Sequence, residues 1–194
     1  MTEKSDWALV RLVPLLLIPL LLILSAPAQA ADPDLLSLSV GYYDQDWIEP
    51  DILFLNHGDS GHYAAVDYRL EYRFGTSLIP WTDPYVKIKP FVGIEGTSQL
   101  GFYGAAGLLF DIALGPVVIT PSFGVGLYSQ GNGRDLGSLV EFRSQVEIGY
   151  KFENEMRVTV AYSHISNANL TDLNPGVDII SAYLHVPVRM IIGN

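Results

Sequence analysis

Eight segments between residues 35 and 189 alternate polar and apolar residues one for one, and helical periodicity is nearly absent between them. Successive side chains of an extended strand point to opposite faces, so this alternation specifies strands with one apolar and one polar face. The segments lie at about 35–47, 62–74, 85–96, 101–113, 117–128, 138–152, 155–165 and 177–189, with Gly, Pro, Asn or Asp punctuating the gaps. In the sixth, Val140, Phe142, Ser144, Val146, Ile148, Tyr150 and Phe152 share one face, and Glu141, Arg143, Gln145, Glu147 and Lys151 the other. The second opposes Ala64, Val66, Tyr68, Leu70, Tyr72 and Phe74 to Asp67, Arg69, Glu71 and Arg73.

A soluble β-sandwich alternates too, with its charged face in water. Length and charge favour a different fold. Segments of 10 to 15 residues are long for a sandwich and suit a tilted crossing of a hydrocarbon layer. The charged faces carry both signs, as a closed interior of mutually paired ions requires. An even strand number closes antiparallel without a free edge. The expected fold is all-β: an eight-stranded antiparallel transmembrane β-barrel. The final RMIIGN lacks the terminal aromatic residue common in outer-membrane barrels. With the N-terminus in the periplasm, connections 48–61, 97–100, 129–137 and 166–176 are expected outside. Gly115-Pro116, Glu153-Asn154-Glu155 and an unusually long 75–84 connection are expected inside.

The first 30 residues read differently. Lys4 and Arg11 precede the uncharged run LVPLLLIPLLLILSA, which ends at the small-x-small pattern Ala28-Gln29-Ala30. Residues 1–30 are therefore expected to be a secretory signal peptide and residues 31–194 the barrel; Pro14 and Pro19 interrupt a run already short for a retained membrane helix. A net charge of −10 argues against nucleic-acid partners, which require basic patches. With no cysteine, the chain has no disulfide framework despite its expected export.

Against this pattern, AYSHISNANL (161–170) crowds polar groups where the seventh segment runs out. Its apolar face is Met156, Val158, Val160 and Tyr162, and the same parity continues to His164 and Ser166. In the eighth segment the face of Ile180, Ala182, Leu184, Val186 and Val188 extends backwards to Asp178. All three polar residues are thus expected on the lipid-facing surface of two neighbouring strands, near the outer rim. Polar groups there lack water and must bond to one another or to headgroups. A histidine able to take a serine proton, with a carboxylate to orient it, suits nucleophilic acyl transfer. Ser163 and Ser181 fall on the interior parity.

The run His164-Ile165-Ser166-Asn167-Ala168, followed by Asn174-Pro175-Gly176 and an acid at 178, resembles the lipid A 3-O-deacylase (PagL-type) family. In that family an H-x-S-N-A motif sits on the penultimate strand of an eight-stranded outer-membrane barrel, and a glutamate on the last strand completes the triad. The resemblance implies Ser166 as nucleophile, His164 as general base, Asp178 as orienting acid, and Asn167 and Asn174 as oxyanion contributors. Asp178 departs from the family's glutamate by one methylene; Asp172, in the loop, is a weaker candidate. The implied activity is that of an outer-membrane serine esterase removing the 3-O-linked primary acyl chain of lipid A. Its substrate would be lipopolysaccharide among the outer-membrane lipids of a Gram-negative bacterium, with the site at the outer leaflet. No cofactor or metal is expected, and the sequence is compatible with a homodimer. Two alternatives use the same features: a phospholipase with this triad, or a non-enzymatic barrel whose Asp178 fails to reach His164.

Other motifs carry less. His57, Asp59 and His62, in the stretch 56–62, match no standard metal-ligand spacing and read as a polar loop. Gly124-Val125-Gly126 precedes no helix and is no phosphate cradle. His185 has interior parity and is expected to pack in the lumen.

Overall fold

The computed structural model describes residues 32–44, 64–83 and 85–193. The expected signal peptide, the 48–61 connection with His57, and His62 just after it lie outside the described residues. Among the described residues the strands are β1 (Leu35–Asp44), β2 (Ala65–Arg73), β3 (Lys87–Thr97), β4 (Phe102–Leu114), β5 (Val117–Ser129), β6 (Val140–Lys151), β7 (Arg157–Ser166) and β8 (Val177–Pro187). Each pairs antiparallel with the next, and β8 returns to pair with β1, closing the barrel. β8 stops short of the expected residue 189. Beyond Pro187, which has no N–H to extend a ladder, Val188–Ile192 form the short helix α1. The long 75–84 connection contains a 3-10 turn, Pro80–Thr82. Leu78 N–H donates to the Ile88 carbonyl at 2.7 Å, so the β2–β3 hairpin pairs beyond its strand ends.

The amphipathy is inverted relative to a water-soluble protein: outward Val160 is 55% exposed, whereas inward Glu147 is 1% exposed. Buried ions cost several kcal/mol each unless paired, and here they pair with one another inside the lumen. Arg73 Nη2 lies 2.7 Å from Glu71 Oε2 and 2.6 Å from Glu147 Oε1. Asp111 takes Lys89 at 2.8 Å and both terminal nitrogens of Arg157 at 2.8 and 3.0 Å. His185 lies in the lumen as expected, with Nδ1 at 2.8 Å from Ser37 Oγ and Nε2 at 3.0 Å from Thr159 Oγ1. Gly124-Val125-Gly126 lies within β5.

Toward the end where β7 runs out, the filling turns apolar. Tyr43, Ala65, Tyr103, Tyr128, Leu136, Ile165, Val177 and Ile179 form one buried cluster. Leu136, from the loop between β5 and β6, is fully buried within it, and Tyr128 donates its hydroxyl to the Arg134 carbonyl at 2.7 Å. Ile165, Val177 and Ile179 are the inward neighbours of positions 164, 166 and 178. Their burial fixes the facing of those outward residues, because a one-residue slip would bring the polar groups into this cluster.

Candidate active site

His164 of β7 is the direct register partner of Asp178 of β8, and both side chains face outward. Directly opposed residues in an antiparallel pair hold their Cβ atoms about 4.5–5.5 Å apart, which is why the shorter aspartate reaches. His164 Nδ1 is 2.8 Å from Asp178 Oδ1. The imidazole is 44% exposed and the carboxylate 16%. With Nδ1 turned to the carboxylate, Nε2 is the nitrogen available to take a proton. Tyr162, two residues earlier on the same face, donates its hydroxyl to the same Oδ1 at 2.7 Å.

Ser166 ends β7 on this face, in register with Phe142 of β6, whose ring stacks on Phe123 with centroids 6.0 Å apart. The Ser166 hydroxyl makes no hydrogen bond among the described residues; nucleophile–base contacts are often long before substrate arrives. Ser163 and Ser181 are buried on the lumen side, and Ser163 accepts from Arg69 at 3.0 Å. Asp172 is exposed in the 167–176 loop, so the acid on the imidazole is Asp178.

The two asparagines differ. Asn167, next after an outward residue, turns inward and is fully buried. Its Nδ2 is 2.8 Å from the carbonyls of Leu136 and Leu173 and 2.9 Å from Thr171 Oγ1. The side-chain amide of Asn167 is thus engaged in tying two loops together rather than presented to the lipid face. Asn174 accepts the Asn167 N–H at 2.9 Å and donates Nδ2 to Asn169 Oδ1 at 2.9 Å, keeping one amide hydrogen in hand and staying half-buried. Between them Ala168 (φ 54°) and Asn169 (φ 63°) form a turn with Leu170 N–H on the Asn167 carbonyl at 3.0 Å. Two consecutive left-handed residues make this the mirror-image type I turn. Gly176, also left-handed at φ 65°, brings its Cα against the His164 ring: a Cβ there would lie 2.8 Å from Cε1.

A family model described as Lipid A 3-O-deacylase (PagL) matches residues 62–187, which takes in β2 to β8 and every residue of the constellation above. The chain belongs to this family. It is therefore an ester hydrolase of the outer membrane with lipid A as substrate. Among solved structures, "Crystal structure of the outer membrane enzyme PagL" superposes with a TM-score of 0.56 at 22% identity, covering 79% of this chain and 99% of that one. Neisserial surface protein A superposes with a TM-score of 0.55 at 8% identity, covering 82% of this chain and 99% of that chain. At such identities the likeness is one of fold. No curated protein sequence matches.

Two residues in contact with His164 or Asp178 were not singled out from the sequence. Tyr162 was read as one more apolar-face residue, although a tyrosine hydroxyl facing lipid needs a partner. Gly176 was read only as part of a motif; its left-handed backbone and the ring against it exist only once β7 and β8 are paired.

Proposed function

We propose that Ser166, His164 and Asp178 are the nucleophile, general base and orienting acid of lipid A 3-O-deacylation, and that residues 1–30 direct export. The hydrogen bond between His164 and Asp178 on the outward face carries this reading, with Ser166 two positions along the same strand. Lipid A lies in the outer leaflet with its ester-linked chains running down beside the barrel wall. A serine where a lipid-facing strand ends meets the ester where sugar joins acyl chain. His164 Nε2 takes the Ser166 proton as Oγ bonds to the carbonyl carbon. Asn174 Nδ2, with local backbone N–H groups, holds the developing oxyanion. Collapse breaks the bond to the sugar 3-oxygen, which takes the proton from His164. Water, deprotonated by His164, then bonds to the acyl carbonyl carbon, and the bond to Ser166 Oγ breaks as Oγ takes the proton back from His164. The products are a 3-hydroxy fatty acid and lipid A with one acyl chain fewer. The stacked Phe142 and Phe123 form an apolar shelf beside Ser166 along which the departing chain lies.

The test is mass spectrometry of lipid A from cells expressing wild type or Ser166→Ala, with purified phospholipid as a parallel substrate. The expected result is loss of one hydroxyacyl mass with wild type only. Deacylation undiminished in Ser166→Ala, or equal cleavage of phospholipid, contradicts the proposal.

A further inference from the structure

Asp178 Oδ1 accepts two hydrogen bonds, from His164 Nδ1 at 2.8 Å and from the Tyr162 hydroxyl at 2.7 Å. Both donors come from the same face of β7, and His164 is the direct register partner of Asp178. We infer that Tyr162 is a positioning residue of the catalytic site: it anchors the Asp178 carboxylate so that an aspartate can serve as the acid. The inference rests on the triad proposed above.

Two considerations support this role. A lone hydrogen bond from a ring nitrogen leaves an aspartate free to swing about its Cα–Cβ bond, whereas a second donor on the same oxygen confines it. The two-donor arrangement is also specific to side-chain length. A glutamate would carry its oxygens one methylene further out, past the point where both donors converge. Tyr162 and Asp178 therefore form a matched pair, and the effect of one depends on the other.

Tyr162→Phe and Asp178→Glu, singly and together, are assayed as purified full-length barrel on lipopolysaccharide, with folding checked by circular dichroism and heat-dependent gel mobility. Tyr162→Phe is expected to lower kcat about tenfold with KM nearly unchanged, roughly the loss of one hydrogen bond to a charged group. In the Asp178→Glu background the same substitution should change kcat less than about twofold. The same kcat ratio in both backgrounds, or an unchanged kcat in Tyr162→Phe, overturns the inference and leaves Tyr162 as a satisfied lipid-facing tyrosine. Ser166→Ala is the control. Activity persisting there overturns the triad itself, whereas an inactive Ser166→Ala beside an indifferent Tyr162→Phe overturns only the role of Tyr162.

Discussion

Gly176 offers a sharp test of how His164 is held. Its φ of 65° is left-handed, and a Cβ built on it would stand 2.8 Å from His164 Cε1 and 3.2 Å from Nε2. Ordinary carbon contacts begin near about 3.5 Å, so Gly176→Ala requires the ring to retreat by roughly 0.7 Å. The ring is tied through Nδ1 to Asp178 at 2.8 Å, and a shift of that size disturbs a bond whose useful range ends near about 3.2 Å. Two separate effects follow. An alanine in left-handed backbone costs about 1–2 kcal/mol of stability, and misplacing a catalytic group by most of an ångström lowers kcat by about 10- to 100-fold. The assay is kcat and KM on lipopolysaccharide alongside urea unfolding of the same preparations. Gly176→Asn separates the two effects, because asparagine tolerates this backbone yet still carries the Cβ; it should recover stability but not activity. If both variants retain wild-type kcat per folded molecule, the imidazole does not occupy the position described.

Asn167→Ala removes the amide that ties Leu136, Leu173 and Thr171 together. It should destabilise the barrel by about 2–3 kcal/mol, since buried carbonyls lose their donor, and should speed proteolysis of the 130–139 and 167–176 loops. A loss of kcat with unchanged unfolding and proteolysis would instead make Asn167 an oxyanion donor. Arg73→Ala leaves Glu71 and Glu147 without their shared partner and should cost about 3–5 kcal/mol in urea unfolding, with kcat per folded molecule unchanged because the network lies inside, away from the lipid face. A matching fall in kcat would show that the lumen network and the outer site are coupled.

Much of this was legible from parity alone. Alternation placed all eight strands and the inward facing of Glu71, Glu147 and His185. The same rule put His164, Ser166 and Asp178 outside. Applied one residue further, it also requires Asn167 to face inward, and the family motif hid that consequence by grouping Asn167 with its neighbours. Pairing across the lumen was not legible: that Arg73 of β2 meets Glu147 of β6 depends on barrel stagger, which no local pattern encodes. Nor could spacing tell that Asp178 lies in direct register with His164. That relation depends on the loop from Asn167 to Gly176, whose tight turn and asparagine ties set how β8 returns along β7.

The central claim is that the nucleophile faces the bilayer and is Ser166. Its most direct test is labelling of the purified barrel with a serine-reactive fluorophosphonate, followed by mass spectrometry of the peptides. A single adduct on Ser166, lost in His164→Ala and blocked by lipopolysaccharide, is the predicted result. An adduct on lumen-facing Ser163 or Ser181, or labelling indifferent to His164, would contradict it.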